Sequence, residues 1–165
     1  VEEIARDRGA EVIRVANDHL SMMEVMRRGE ADFVGGTRGG FIFPGFQSGA
    51  DAMFATCKIL EMMAATRSRF GALRRQFEDL QRETISVPCP WSKKGTVMRH
   101  LIVNSQTRER QLVDGVRIRE NGGWVLLIPD RETASFNIMA ETRSREATQA
   151  LVNRYRSLVE EWQTE

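Results

Sequence analysis

Three short stretches of the chain combine residue types that bind small charged ligands, and the first is rich in glycine. Residues 35–49 read GGTRGGFIFPGFQSG, with six glycines in fifteen positions. Glycine lets a backbone approach a ligand closely, and the backbone N–H groups at the start of a helix attract anions. The stretch could therefore hold a phosphate or a sugar. Its spacing fits neither GxxxxGK[ST] nor GxGxxG, so the residue pattern alone favours a plain structural turn.

The other two stretches concentrate charge. Lys93 and Lys94 fall in the first turn of a predicted helix, where cations oppose the helix dipole. Either an anion or acidic group lies nearby, or the two lysines are simply solvated, and the pattern favours the second interpretation. Residues 129–135 read PDRETAS between two apolar segments. Such a loop is either a binding loop or a solvated hairpin turn.

The sequence offers few residues at spacings typical of catalysis or metal binding. His19 and His100 have no Ser, Cys or carboxylate partner at a recognisable motif spacing. Together with Cys57 and Cys89 they cannot form a zinc quartet, and no DxDxD run is present. The sequence therefore predicts no catalytic residue and no metal site, and two reduced cysteines suggest a cytoplasmic protein.

Composition excludes several classes of protein. The 165 residues include 24 Lys+Arg and 23 Asp+Glu, for a net charge of +1, and 41% are hydrophobic. This balance argues against disorder and against phosphate-backbone binding, so we expect no nucleic-acid partner. No apolar run is long enough to span a bilayer, so we expect no membrane partner. The chain opens on Val1 in a helix-like segment, which predicts a piece of a longer protein.

The first half alternates helical and strand-like segments. Residues 1–8 are helix-compatible, 11–15 (EVIRV) and 31–34 (ADFV) read as strands, and Asp18 can cap the helix between them. Ser48 followed by Asp51 has the pattern of a capping box before a helix through residue 65, and residues 68–81 continue as a second helical stretch. This order predicts an incomplete α/β layer.

The second half predicts a different fold class. Residues 84–87 read as a strand, Ser92 can cap a helix, and residues 111–119 and 124–128 form a hairpin through the Asn121-Gly122-Gly123 turn. Residues 135–142 alternate as a further strand, and a last helix starts at Ser144. The order β-α-β-β-β-α predicts an α+β domain with a four-stranded antiparallel sheet and two helices on one face.

Several motifs in this order resemble the α-D-phosphohexomutases, the phosphomannomutase and phosphoglucomutase family. The resemblance rests on GGTRGGFIF with the following helix, on VPCPW, on DGVRI and on GWVLL with the loop after it. It implies the end of the family's third α/β domain at residues 1–66, a helical connector at 67–82 and the family's C-terminal α+β domain at 83–165. The segment TRGGFIFP, residues 37–44, is most similar to the degenerate mutase-like region of bacterial mannose-1-phosphate guanylyltransferase fusion proteins.

Both ligand loops depart from the family pattern. The family's sugar loop reads Gly-Glu-x-Ser-Gly-His and its phosphate loop Arg-Pro-Ser-Gly-Thr-Glu-Pro, whereas residues 36–41 here read GTRGGF and 128–134 read IPDRETA. Replacing the arginine and adding two carboxylates should disfavour a phosphate dianion, which Arg131 only partly offsets. The residues assigned to these degenerate loops are Thr37, Arg38, Gly39, Gly40 and Phe41 for sugar, and Asp130, Arg131, Glu132, Thr133 and Ser135 for phosphate.

The resemblance also implies what the chain lacks. The family's serine nucleophile and magnesium loop lie in its first two domains, so Mg²⁺ is expected only there, and this polypeptide alone should not be a mutase. Its expected partners are the upstream domains of the parent chain, a hexose phosphate and a second copy of itself. Three hypotheses remain open: a catalytically silent module, the phosphosugar-binding half of an active but atypical phosphohexomutase, and a purely structural interaction domain.

Overall fold

A computed structural model divides the chain into two compact units, Val1–Phe70 and Gly71–Glu165. The structure describes residues 1–37, 39–75, 77, 79–120 and 122–164, without the side chain of Glu3. Two residues singled out by the sequence, Arg38 of the sugar loop and Asn121 of the hairpin turn, lie outside the described residues. Within the described part, none of the helices combines the length and apolarity that a membrane crossing needs.

The first unit is built from short helices and one small hairpin. Asp18 caps the second helix as predicted, because its Oδ1 accepts the backbone N–H of Ser21 at 2.9 Å. A small core forms where this helix meets the hairpin, with Met22, Val34 and Ile42 buried in it. The elements are α1 (Glu2–Asp7), α2 (His19–Arg27), β1 (Val34–Gly35), β2 (Phe41–Ile42), α3 (Ala52–Thr66) and α4 (Phe70–Arg75), which ends in the second unit.

Two predictions for this unit are wrong. Residues 11–15 form no strand, and the segment predicted at 31–34 enters a strand only at Val34. A strand needs a partner, and among the described residues of this unit the only paired strands are β1 and β2. The helix α3 does form, but Asp51 rather than Ser48 caps it, since Asp51 Oδ1 accepts the Phe54 N–H at 2.7 Å.

The second unit contains an antiparallel sheet with two helices on one face. Alternate strand residues and the inner faces of both helices form one core, in which Val97, Phe136, Ile138 and Val152 are fully buried. The elements are β3 (Gln81–Pro88), α5 (Trp91–Asn104), β4 (Arg110–Gln111), β5 (Val116–Glu120), β6 (Gly123–Pro129), β7 (Ser135–Thr142) and α6 (Arg145–Trp162). The strand order is β3-β7-β6-β5-β4. The predicted fold class is confirmed.

The sheet has five strands rather than the predicted four, because the segment 111–119 is interrupted. Asp114 has φ +57° and Gly115 has φ +131°, which bends the chain between β4 and β5. At Gly115 an added Cβ would lie 2.3 Å from the Leu127 carbonyl oxygen, so the bend and the close approach both require glycine. The edge strand β4 then pairs with β5 through Arg110 and Gln111.

Two boundaries near the start of this unit also differ from prediction. Within the described residues of the predicted helical stretch 68–81, helix is limited to α4, and Gln81 instead pairs with Thr142 as the first residue of β3. Ser92 lies inside α5, whose N-cap residue is Pro90. In the first case tertiary strand pairing overrides local helical periodicity.

One ionic network joins α6 to the sheet. The Glu120 side chain, 12% exposed, accepts hydrogen bonds from the Tyr155 hydroxyl at 2.8 Å and from Arg108 Nη1 at 3.0 Å. Arg154 donates to its other oxygen. Burial, followed by the hydrogen bond to Glu120 and its negative charge, raises the pKa of Tyr155 to about 12. The network therefore stabilises the neutral phenol in the folded state.

The raised pKa predicts a loss of stability in strong alkali. A phenol with a folded-state pKa above its unfolded value stabilises the fold fully below pH 10, and this contribution disappears as pH rises toward 12. Two pKa units correspond to at most about 2.7 kcal/mol. Urea unfolding at several pH values should show this decline in the wild type and not in Tyr155→Phe. Equal slopes for the two proteins would contradict the prediction.

Candidate functional site

The predicted phosphate loop connects β6 to β7. The side-chain carboxylate of Asp130, which belongs to this loop, accepts hydrogen bonds from the loop's backbone N–H groups. Asp130 Oδ1 accepts the N–H groups of Glu132 at 2.8 Å and Thr133 at 2.7 Å. Asp130 Oδ2 accepts Asn137 Nδ2 at 2.9 Å. Backbone N–H groups converging in a loop form an anion-binding concavity. Here the anion is the side chain of the loop itself.

These hydrogen bonds govern the titration of Asp130. The backbone N–H groups of Glu132 and Thr133, followed by the amide of Asn137, hold the pKa of the Asp130 carboxyl far below its ordinary value of 3.8. The carboxylate is therefore ionised throughout the pH range in which proteins are normally studied.

We expect acid to weaken this loop. A carboxyl with a lowered folded-state pKa stabilises the fold above its unfolded value of 3.8, and the contribution is lost as pH falls below it. Acid unfolding followed by tryptophan fluorescence should show a smaller pH dependence in Asp130→Asn than in the wild type. An unchanged acid transition would contradict the assigned hydrogen bonds.

Lys94 anchors the same loop from α5. Its ammonium donates to the backbone carbonyl oxygens of Asp130 and of Thr133, the latter at 2.6 Å. It also lies 3.5 Å from the centroid of the Trp91 ring, and the residue is only 8% exposed. The prediction of a solvated lysine is therefore wrong for Lys94, because electronegative loop carbonyls surround the cation.

The remaining predicted residues of this loop divide into two groups. The hydroxyls of Thr133 and Ser135 lie 2.8 Å apart, close to the Asp130 turn. Arg131 instead pairs with Asp114 at 3.2 Å and has a side chain that is 76% exposed. Glu132 is exposed as well. The loop therefore brings together Asp130, Thr133 and Ser135, whereas the arginine already has a carboxylate partner.

The predicted sugar loop is the turn between β1 and β2. The Gly36 N–H donates to the Gly40 carbonyl at 3.2 Å, while Gly39 and Gly40 have φ values of +83° and +81°. Such values strongly favour glycine, which explains the repeated glycines without any ligand. Thr37 Oγ1 accepts Asn17 Nδ2 at 2.9 Å.

Aromatic side chains dominate the surroundings of this turn. Phe41 stacks on Phe33 with ring centroids 5.9 Å apart, and Phe33 contacts Phe43 at 5.2 Å. A cavity of about 350 Å³ lies beside Phe41, lined by Gly40, Phe41, Ala50, Ala52, Ala55, Thr56 and Ile59. Its walls are mostly apolar, so it suits an apolar group better than a charged sugar phosphate.

The two loops belong to different compact units. Among the described residues, no group of three His, Cys, Asp or Glu side chains could hold a metal ion. Sequence analysis missed Asn137 and the role of Lys94. A lysine is unfavourable in the first turn of a helix, so the position of Lys94 in α5 was the sequence signal that could have indicated its role.

The first half of the chain matches a known family of domains. Residues 1–80 match the family model described as "Phosphoglucomutase/phosphomannomutase, alpha/beta/alpha domain III". This match and two relatives that align over nearly the whole chain support a relation between the chain and the phosphohexomutase family. The chain is 25% identical over 162 residues to the phosphoglucosamine mutase of Methanococcus vannielii, covering 96% of this chain and 36% of that protein. It is 23% identical to the phosphoglucosamine mutase of Methanocaldococcus jannaschii, covering 98% and 37%.

A solved structure agrees with this phosphohexomutase-like fold. A phosphoglucomutase/phosphomannomutase family protein of Burkholderia thailandensis superposes with a TM-score of 0.78 at 17% identity, covering 94% of this chain and 34% of the other. At that identity the likeness shows the fold alone. The chain therefore spans about a third of the length of the phosphohexomutases that it matches.

Proposed function

We propose that this chain is a non-catalytic phosphohexomutase-like module of a protein in sugar-phosphate or nucleotide-sugar metabolism. One observation carries the proposal: the Asp130 carboxylate accepts the two backbone N–H groups at the centre of the predicted phosphate loop. A phosphate would have to displace a bound carboxylate that cannot leave the chain. It would also meet two negative side chains, Asp130 and Glu132, at short range.

The sugar loop supports the same conclusion. Its described side chains supply one hydroxyl, on Thr37, which already accepts a hydrogen bond from Asn17. Phe41 stands where the family pattern has histidine, and it stacks on Phe33. General acid–base catalysis most often uses a carboxylate or an imidazole, and the described part of this turn offers neither.

The finer proposal concerns the parent protein. The resemblance of TRGGFIFP to guanylyltransferase fusion proteins leads us to propose that the module accompanies a cytoplasmic sugar-1-phosphate nucleotidyltransferase domain. Any Mg²⁺ would then be bound in upstream domains. Within this arrangement the module serves regulation, scaffolding or assembly rather than phosphoryl transfer.

A titration of the isolated chain tests the proposal. Amide signals of residues 35–37, 39–41 and 130–135 are followed by NMR during addition of mannose 1-phosphate, glucose 1-phosphate and glucose 1,6-bisphosphate. We expect no saturable shift in residues 130–135. Saturable shifts in both loops with a phosphosugar, but not with the parent hexose, would overturn the proposal.

A second candidate is the phosphosugar-binding half of an active but atypical phosphohexomutase. It is favoured by the match of nearly the whole chain to phosphoglucosamine mutases, at 96% and 98% coverage. In this function Arg38, Arg131, Thr133 and Ser135 replace the usual phosphate contacts. Arg131→Ala should then abolish mutase activity of the full-length parent, while the matched change Arg119→Ala should not. A parent that is inactive before any substitution excludes this candidate.

An interaction role is favoured by the exposed apolar surface of the first unit. On α3, Met53 is 80% exposed and Leu60 is 58% exposed, while Ala55 is the buried residue of the helix. Monomeric proteins rarely leave such patches uncovered. We propose that the rest of the parent chain covers this surface, with a second copy as the alternative outcome. Leu60→Glu should increase solubility of the isolated chain, and sedimentation would distinguish a monomer from a homo-oligomer.

A further inference from the structure

We propose that the outer face of the five-stranded sheet, the face opposite to α5 and α6, binds an acidic amphipathic segment of a partner protein. This outer face consists of alternate residues of the strands, whose neighbours along each strand point into the core of the second unit. None of the residues assigned to the two predicted ligand loops takes part. The proposal is therefore independent of the proposed function and goes beyond it.

The centre of the outer face is apolar, although an open sheet face does not require this. An antiparallel sheet with one solvated face usually alternates apolar and polar residues along each strand. Between its terminal residues β6 instead reads WVLLI, so its outward residues are as apolar as its inward ones. Such a run is typical of strands that are buried on both faces. The outward apolar residues are all half-buried: Trp124, Leu126 and Ile128 of β6 and Met139 of β7.

Arginines border this apolar centre on both sides. Arg82 lies on β3 at one side, and Arg117 and Arg119 lie on β5 at the other, with β6 and β7 between them. Among the described outward residues of the five strands, Glu141 is the only carboxylate. It accepts the indole N–H of Trp124 at 3.1 Å. The outer face therefore carries an excess of positive charge and complements an acidic partner.

Two of these arginines are positioned over the indole ring at the edge of the apolar centre. The guanidinium carbon of Arg117 lies 4.7 Å from the centroid of the Trp124 ring, and that of Arg82 lies 5.8 Å from it. Arg119 contributes less, because its exposed pair with Glu109 partly neutralises it. Carboxylates of a partner would meet guanidinium groups that are already oriented, which lowers the entropic cost of binding.

The same observations disfavour two other occupants. Single-stranded nucleic acid binds by stacking its bases on aromatic rings. The described outward residues include one aromatic ring, that of Trp124, and both neighbouring guanidinium groups already lie against it. A second copy of this chain would bring a second set of arginines against a positive face, which like-charge repulsion disfavours. An acidic segment with apolar anchors matches both the charge and the apolar centre.

The probe follows from the size of the sheet. Five strands spaced about 4.8 Å apart are about 19 Å wide, and a helix of about 14 residues is about 21 Å long. We would use a synthetic amphipathic helical peptide of that length, with leucines on one face and glutamates beside them. One control peptide has lysine in place of every glutamate, and another has serine in place of every leucine. Binding to the whole chain is followed by NMR through the amide signals of residues 124–128 and 137–141.

We expect saturable shifts in these strands with the acidic leucine peptide and with neither control peptide. Arg117→Glu should weaken binding of the acidic peptide by about tenfold or more, since interface arginines often carry a large share of the affinity. Arg82→Gln is a milder change that should weaken binding in the same direction, and it is used as well in case Arg117→Glu disturbs the fold. The matched control is Arg156→Glu, which lies exposed on α6 at the other side of the sheet and should bind like the wild type.

Three results would overturn the proposal. The first is the absence of saturable shifts with the acidic peptide, or equal shifts with either control peptide. The second is equal binding by Arg117→Glu, Arg82→Gln and Arg156→Glu. The third is another occupant of the same residues: tighter binding of an oligothymidylate would assign the outer face to nucleic acid, and concentration-dependent shifts of these signals without peptide would assign it to a second copy.

Discussion

Replacing Lys94 by methionine is expected to lower the free energy of unfolding of this chain by about 3 kcal/mol, because two loop carbonyls lose their charged donor. The Lys94 ammonium bonds the carbonyl oxygens of Asp130 and Thr133 and lies over the Trp91 ring at 3.5 Å. Methionine keeps the aliphatic part of the side chain packed but cannot donate a hydrogen bond. Urea denaturation followed by tryptophan fluorescence measures the loss.

The matched control is Lys93→Met, which removes the same charge one residue earlier in the same helical turn. We expect Lys93→Met to change the free energy of unfolding by less than about 0.5 kcal/mol, as is usual away from buried polar contacts. Faster hydrogen exchange at the Glu132 and Thr133 amides should accompany Lys94→Met alone. Equal stabilities of the two variants would show that the lysine does not hold the loop.

The chemistry of the loop at residues 130–135 could be predicted only in part from the sequence. The two carboxylates of this loop, Asp130 and Glu132, are visible in the sequence as residue types. That one carboxylate folds back onto the N–H groups of Glu132 and Thr133, while the other is exposed, depends on the backbone path of the turn. The contribution of Asn137 was hidden because its contact with Asp130 depends on the pairing of β6 with β7 and on the backbone path of the loop between them.

The fold shows the same division between local and long-range information. The strand β7 and the helix α6 were predicted nearly to the residue, because an alternating pattern and a Ser144 cap are local signals. The segment 11–15 alternates just as well, yet it forms no strand. Its sequence contains the side-chain pattern of a strand but cannot supply a pairing partner, so periodicity alone gave the wrong answer.

The hydrogen-bonding and packing groups of the two predicted ligand loops are satisfied in physically different ways. In the predicted sugar loop, two glycines with positive φ allow the backbone to turn, and two stacked phenylalanines pack beside it. In the phosphate loop, the donors persist and an internal carboxylate fills them. The described part of the first loop offers few polar side-chain groups, whereas the second loop has converging backbone donors that its own carboxylate occupies.

Replacing Glu120 by glutamine is expected to lower the free energy of unfolding by about 3 kcal/mol, since hydrogen bonds to a charged acceptor each contribute about 1.5–3 kcal/mol and exposure of the arginines reduces the total. The Glu120 carboxylate accepts from the Tyr155 hydroxyl, Arg108 and Arg154. Glutamine has one acceptor oxygen, and its NH₂ group would face a donor. Thermal and urea unfolding measure the change.

The control for this substitution is Glu109→Gln, which affects the exposed ion pair between Glu109 and Arg119. Their side chains are 73% and 64% exposed, and the two atoms lie 3.4 Å apart. Water screens such a pair, so we expect a change below about 0.5 kcal/mol. The Glu120 variant should also show a smaller alkaline decline from Tyr155, because the carboxylate no longer adds to the pKa rise and burial of the phenol alone then keeps its pKa raised. If Glu120→Gln is as stable as Glu109→Gln, the network does not join α6 to the sheet, and the apolar core alone holds this helix in place.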